Sequence, residues 1–439
     1  MIAGDDPAIQ PGPGHRATVA VVGRLAITNA AIVFAAVVTG PLQARALGAA
    51  GRGDVTAITV VPQIIVWLAG LGLTDYVAIQ AARGADLGKV AGSIGALLLA
   101  LSLIPLACAI PLAGLLAHGR STVRLFLVLE MGLTPLALLA GLATAIANGL
   151  SQWKRLIWMQ ASLPTVTVVG VSVLFAVNRL TVVTAALTLV SGQLLSIVPL
   201  LPVLPGCLPL SFSMEVVVHG IRFGVRSWLN DLSRLVNASL DQFLMVGLVP
   251  AAVLGFYSLA VTIASVTTIV TAALSAALLP RIAQGDSAVG PRALRTALPL
   301  LAVTAGAIAV VTPYAVPLAY GRAFGAATTM VWILLVAAIP LAGTTILDRV
   351  LTSSGYPGRG AIAQGVAVLI TIPGLLLLLP VMGGEGAAVV SLAAYSCSFA
   401  IMLGFARRRF GGRIGDYLVP RASELRLLAR ACVGIVRRR

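Results

Sequence analysis

The amino-acid sequence predicts an all-α polytopic membrane protein of about twelve transmembrane helices, set as two six-helix lobes around a central cavity. Three observations predict it. The 439-residue chain is 59% hydrophobic and only 10% charged, with a mean hydropathy of +1.02; soluble domains carry about 25% charged residues. Apolar stretches of the roughly 20 residues that a span requires recur along most of the chain. The two halves also echo each other at an offset near 202 residues.

The elements follow in order. Residues 1–16 are polar, with Asp5, Asp6 and three prolines. They lack a signal-peptide pattern, so the first apolar helix is expected to remain as a span. Spans read as 17–41, 54–80, 87–117, 121–148, 157–177, 181–206, 217–249, 252–278, 292–317, 326–352, 360–382 and 385–406. The stretches at 87–117 and 217–249 are long, which predicts tilted or interfacial parts. An even count puts both termini on one side.

The net charge is +16, and residues 405–439 hold ten arginines against Asp416 and Glu424. A basic segment after a last span anchors on the anionic cytoplasmic leaflet, so both termini are expected in the cytoplasm. The loops add a weak bias: Arg83, Lys89, Lys154, Arg155, Arg281, Arg292, Arg295 and Arg359 on that side, Arg45, Arg52, Arg120, Arg124, Arg179 and Arg322 on the other. Nucleic acid is not an expected partner.

The repeat sets the domains. Arg24 falls on Arg226, Asn29 on Asp231, and the segment Ala46–Gly53 near Val249–Gly255. Six spans per half keep one orientation, so the halves are related by an axis along the membrane normal. This divides the chain into an N-lobe at 17–206, a linker at 207–216, a C-lobe at 217–406 and a basic tail at 407–439.

The chemistry concentrates in the seventh span. Arg222, Arg226, Asn230, Arg234, Asn237 and Asp241 are spaced by three or four residues. At about 100° per residue they share roughly a 120° arc of one helix face. Charges inside a span are costly and face a wet cavity or a partner. An interfacial helix with Arg222 and Arg226 snorkelling to lipid phosphates explains the first turns but not Arg234 or Asp241. Arg24, the mate of Arg226, is open to either a snorkelling or a cavity role. Arginine forks suit phosphate oxygens, so the implied substrate has an anionic head.

The embedded acids Asp241, Asp75, Glu130 and Asp348 are candidates for proton or sodium coupling. For Asp75 a helix-end position competes, and for Asp348 an ion pair with Arg349. Arg45 and Arg52 flank a glycine-rich turn and read first as hairpin caps. Trp67, Trp153, Trp158, Trp228 and Trp332 sit mostly near span ends, where aromatic belts lie. Cys108, Cys207 and Cys397 read as small buried apolar residues. No cofactor and no metal site are expected: the three histidines are isolated, Gly84-Ala-Asp-Leu-Gly88-Lys89 is too short for a P-loop, and no G-x-S-x-G occurs.

The motifs Ala44-Arg-Ala-Leu-Gly-Ala-Ala-Gly-Arg-Gly53, Gly70-Leu-Gly72, Leu240-Asp-Gln242, Leu254-Gly-Phe-Tyr-Ser-Leu-Ala260, Leu279-Pro-Arg-Ile-Ala283 and Gly383-Gly-Glu-Gly-Ala-Ala388 run through residues 17–406. Together they resemble Wzx-type oligosaccharide flippases of the multidrug/oligosaccharidyl-lipid/polysaccharide (MOP) exporter superfamily. The resemblance implies a MATE-like, V-shaped, alternating-access chamber with a cationic lining. It implies a polyprenyl-pyrophosphate-linked oligosaccharide as substrate, moved across the cytoplasmic membrane for cell-surface polysaccharide synthesis. The two extra helices usual in peptidoglycan-precursor flippases are not found.

The expected protein is therefore a transporter and not an enzyme, with lipid-linked oligosaccharide and membrane lipids as partners. The tail could equally serve lipid or dock glycan-assembly machinery. One rival is a proton- or sodium-coupled small-molecule or drug antiporter of the same fold, against which the arginine stripe argues. The other is a glycan polymerase or ligase, which would need a long outer loop that the sequence lacks.

Overall fold

A computed structural model describes residues 13–273, 289–354, 356 and 358–419; side chains are described for these except at 13–30, 204, 229–238 and 289–290. The described residues contain no strand. The helices are α1 (Pro13–Gly70), α2 (Leu73–Ala82), α3 (Leu87–Ala117), α4 (Ser121–Gly132), α5 (Thr134–Gly149), α6 (Trp153–Ala176), α7 (Val182–Ile197), α8 (Met214–Leu248), α9 (Ala251–Ala264), α10 (Val289–Tyr320), α11 (Thr328–Ser353), α12 (Gly358–Phe410) and the short α13 (Gly415–Leu418).

Eight of the described helices are long and apolar enough to cross a membrane, and the bent pair α4–α5 makes a ninth. Two of the eight are double: α1 breaks at Gly48 (φ 68°) and α12 at Gly383 (φ 54°). Both glycines hold a left-handed backbone that other residues resist, so each merged helix is two spans joined by a tight turn. The remaining predicted span is α8. Its sequence carries the polar stripe, and among its described residues Ser239–Leu248 form a short apolar helix. Two predicted spans are broken: 54–80 at Leu71–Gly72, and 121–148 by a 46° bend at Leu133. In the second, Pro135 in the first turn of α5 lacks the N–H that would continue the ladder. The predicted span 181–206 ends early, in a 3₁₀ segment at Val198–Cys207 that contains three prolines.

The core explains how the halves sit. One large buried cluster draws on both halves and includes Phe126, Met131, Tyr257, Phe324, Leu335 and Leu375. Its members lie toward the α1 break, the α3–α4, α8–α9 and α10–α11 connections and the α12 break, all at one end of the bundle. At the opposite end the cores are separate. Leu73, Ile94, Leu98, Ile146 and Leu200 pack in the first half. Leu294, Leu301, Ile346, Leu347 and Met402 pack in the second. The molecule is fused at one end and divided at the other. Cys207 is buried, whereas Cys108 lies on an exposed face of α3 and not in the core.

Candidate functional site

The fused end is closed by a reciprocal contact. A Cβ added at Gly53 would collide with the Ala251 carbonyl oxygen, and one at Gly255 would collide with that of Ala49. With the offset of 202, Gly53 matches Gly255 and Ala49 matches Ala251. Each half thus presents the same glycine to the same alanine carbonyl of the other, the pattern of a self-complementary two-fold interface. Backbone meets backbone because neither glycine has a side chain.

Arg52 ties this crossing together. Its side chain is buried at 5% exposure. It donates to the Gly40 carbonyl (2.8 Å), to Ser258 Oγ (3.1 Å) and to Thr262 Oγ1 (3.3 Å), and it lies 5.6 Å from the centroid of the Tyr320 ring. One guanidinium therefore joins both halves of α1 to α9 and α10. The hairpin-cap reading of Arg52 is corrected: the fork leaves its own turn and spans the two lobes. Arg45 likewise reaches the Leu318 carbonyl of α10, while Arg120 pairs with Asp54 within the first half.

Asp241 lies beside the shared core at 7% exposure. Its carboxylate accepts from the Tyr257 hydroxyl and from the Gln242 N–H (2.7 Å). Tyr257 Oη lies 3.4 Å from Ser391 Oγ, which also hydrogen-bonds Tyr395. Asp241, Tyr257 and Tyr395 open on a cavity of about 480 Å³ whose wall carries Thr267, Thr271, Thr345 and Arg349. An oxygen-rich pocket around one carboxylate can hold a small cation or a proton.

A second polar cavity, of about 560 Å³, lies within the first half between α1, α4, α5, α6 and α7. Glu130, 5% exposed, hydrogen-bonds the Gln193 side chain there. Gln63, Thr59 and Ser196 complete the polar lining. On one side the cavity shares Leu136, Ala140 and Ile197 with an apolar groove of about 720 Å³ between α3, α5 and the 3₁₀ segment. On another it shares Val66, Trp67 and Ala137 with a smaller pocket that also holds Asp75 and Trp228. Asp75 accepts a hydrogen bond from Ser227 of α8.

The structure separates the sequence candidates. Asp241, Asp75 and Glu130 fall in three different pockets, Asp75 and Glu130 in adjoining ones. Asp348 is half-buried against Gly360 of α12, apart from these pockets' linings. Arg222 and Arg226 are exposed on α8. The side chains of Arg24, Asn230, Arg234 and Asn237 lie outside the described residues, as does the motif segment Leu279–Ala283. Sequence reasoning misses Gln63 and Gln193 and leaves Trp67 in an aromatic belt. The available signal is a pair of glutamines inside otherwise apolar spans, weak because nothing local links positions 130 residues apart.

A family model described as polysaccharide biosynthesis protein matches residues 22–286. The chain belongs to this family. No curated protein sequence matches it. Among solved structures, lipid II flippase MurJ in an inward closed conformation is similar with a TM-score of 0.72 at 12% identity, covering 89% of each chain. The MATE multidrug transporter DinF-BH gives 0.63 at 15% identity, over 94% of this chain and 99% of that one. A MOP superfamily transporter from Pyrococcus furiosus, described by the reverse polarity of its binding pocket, gives 0.57 at 14%, over 89% and 96%. At these identities the likeness is one of fold. This polysaccharide-biosynthesis family member is a multi-pass membrane protein that shares its fold with MurJ and the MATE transporters.

Proposed function

We propose that the protein is a flippase that carries polyprenyl-pyrophosphate-linked oligosaccharide across the cytoplasmic membrane by alternating access, for cell-surface polysaccharide synthesis. The observation that carries this reading is the adjacency in the first half: a cavity walled by Glu130, Gln63 and Gln193 shares three residues with a long apolar groove. Such a site suits an amphiphile, the sugar units of its head in the polar cavity and its chain among lipid. Moving a sugar-pyrophosphate head through about 30 Å of bare hydrocarbon is prohibitive without such a lining.

In this reading the lobes are 17–206 and 217–406, and Arg24, Arg222, Arg226, Asn230, Arg234 and Asn237 line the path of the pyrophosphate. With the termini in the cytoplasm, the fused end faces outward and the divided end faces the cytoplasm. Substrate enters from inside. The Gly53–Gly255 crossing and the Arg52 tie then release as the lobes rock. Asp241 is the first candidate for ion coupling, with Asp75, Glu130 and Asp348 after it. The basic tail holds anionic lipid or docks assembly partners.

A second reading, a cation-coupled drug antiporter, draws support from the three acids that line the cavities. Flipping of a fluorescent polyprenyl-pyrophosphate oligosaccharide in proteoliposomes separates the two. Wild type is expected to flip it and Arg226→Ala/Arg234→Ala to lose about tenfold or more, as befits two lost charge-assisted contacts. Flipping that survives the double substitution at full rate removes the arginines from the path. Inactive, well-folded wild type that exports cationic dyes establishes the antiporter.

A further inference from the structure

The cavity at Glu130 and the pocket at Asp75 together form one polar tract, because Val66, Trp67 and Ala137 line both. Four features of the tract define what it can hold. Among the described residues no lysine, arginine or histidine lines either part; their carboxyl and amide groups suit neutral hydroxyl groups better than phosphate. Its two carboxyl groups already have neutral donors: Glu130 pairs with the Gln193 amide, and Asp75 accepts from the Ser227 hydroxyl. Trp67 and Trp228 stack with ring centroids 5.9 Å apart and planes inclined by 20°. And Trp228 Nε1 is buried without a hydrogen-bond partner among the described residues.

The last feature decides between ligand classes. An indole N–H is a donor only and needs an acceptor, and a burial that leaves it unmet costs about 1–3 kcal/mol. A cation supplies no acceptor. A sugar ring does, through its hydroxyl and ring oxygens, while its hydroxyl protons suit the Glu130 carboxyl and the side-chain carbonyls of Gln63 and Gln193. Its C–H face packs on an indole, which offers a broad apolar surface beside a polar handle. Amides that both donate and accept, exposed at Gln63 and Gln193, match hydroxyl groups that do the same.

We infer that this tract is the glycan-reading subsite: Trp228 Nε1, Gln63, Glu130 and Gln193 recognise neutral sugar units, apart from the arginines of α8 that would meet the pyrophosphate. The inference rests on the flippase reading for its context, and its test separates the two. Full-length protein in proteoliposomes is given two fluorescent probes, polyprenyl pyrophosphate bearing four hexose units and the same lipid without sugar. Binding of a labelled free tetrasaccharide to the purified chain is measured alongside. Trp228→Phe keeps an aromatic ring and deletes the N–H. It is expected to lower the rate ratio of sugar-bearing to sugar-free probe by about fivefold to tenfold, with a matching loss of tetrasaccharide affinity. Gln63→Leu provides a second variant on a different helix, should the first misfold.

An unchanged ratio and unchanged affinity in both variants overturn the subsite while leaving the flippase standing. Wild type that binds tetrasaccharide yet flips neither probe overturns the flippase while the subsite stands. A cationic dye that displaces nothing from wild type supports the sugar; one that competes with tetrasaccharide and loses affinity in Trp228→Phe assigns the tract to cations instead.

Discussion

The two ends of this bundle are built on different principles. At the fused end, backbone meets backbone across Gly53 and Gly255, a buried arginine joins three helices, and one hydrophobic cluster serves both halves. At the divided end each half keeps its own core, and α8 leans across through small contacts: Gly224 against the Leu71 carbonyl, Ser227 on Asp75 and Trp228 on Trp67. The contrast teaches where the energy of a lobe movement lies. Separating the fused end exposes apolar surface at about 25 cal/mol per Å² and strips the partners of a buried guanidinium. The divided end has a glycine crossing of its own, where Gly72 and Gly224 meet backbone to backbone, but among the described residues each half keeps a separate hydrophobic core there. In the proposed flippase, a bundle held this way rests closed at one face until something offsets the cost.

The largest expected effect therefore comes from the crossing. Gly53→Ala and Gly255→Ala each place a methyl against a backbone oxygen that no rotamer can move. Overpacking of this kind costs about 1–3 kcal/mol, which corresponds to a loss of roughly tenfold to a hundredfold in the closed population. Flipping is expected to fall accordingly. A cysteine at Ala49, in a chain otherwise free of cysteine, is expected to become open to a membrane-impermeant thiol reagent. Wild-type labelling together with wild-type flipping in both variants would show that the lobes do not close through this contact.

Next comes Arg52→Lys. Lysine keeps the charge but offers a point donor instead of a planar fork, and the acceptors at Gly40, Ser258 and Thr262 lie on two different helices. Hydrogen bonds to a charged group are worth about 1.5–3 kcal/mol, and losing one corresponds to roughly a tenfold change or more. Thermal unfolding in detergent is expected to come earlier, and labelling at the fused end to rise by less than in the glycine variants. A stability equal to wild type would make Arg52 a spectator of closure.

Much of this is legible in the sequence, and the exceptions have physical reasons. Composition and span-length hydropathy reveal the membrane fold. The offset of 202 that pairs Arg24 with Arg226 also pairs Gly53 with Gly255, and the fold turns that equivalence into a contact. The polarity of α8 is plain because a stripe at helical spacing is a local signal. What stays hidden depends on packing between distant segments. Arg52 could serve its own turn or another helix, and spacing cannot choose. Gln63, Glu130 and Gln193 stand 67 and 63 residues apart, so only tertiary structure brings them to one cavity. The breaks at Leu71 and Leu133 sit inside stretches that are long and apolar enough on average to read as single spans, so a span-length hydropathy reading passes over them.

The smallest but most discriminating prediction concerns how the second half's acid communicates with the fused end. Tyr257 and Ser258 are neighbours on α9. The first donates to Asp241 and the second accepts from Arg52. A change of occupancy at Asp241 that shifts α9 thus acts on the arginine tie one residue away, with no longer wire required. Asp241→Asn keeps the side-chain shape and removes the charge. By itself it is expected to slow gradient-driven flipping about threefold to fivefold, on the scale of a coupling energy near 1 kcal/mol. Combined with Arg52→Lys, the two effects on labelling at the fused end are expected to fall short of their sum, because both substitutions act on one α9 register. Contacting residues commonly show interaction energies of about 0.5–3 kcal/mol in such cycles. Strict additivity would mean that Asp241 and the tie respond to different movements, and that closure and ion binding are coupled elsewhere in the molecule.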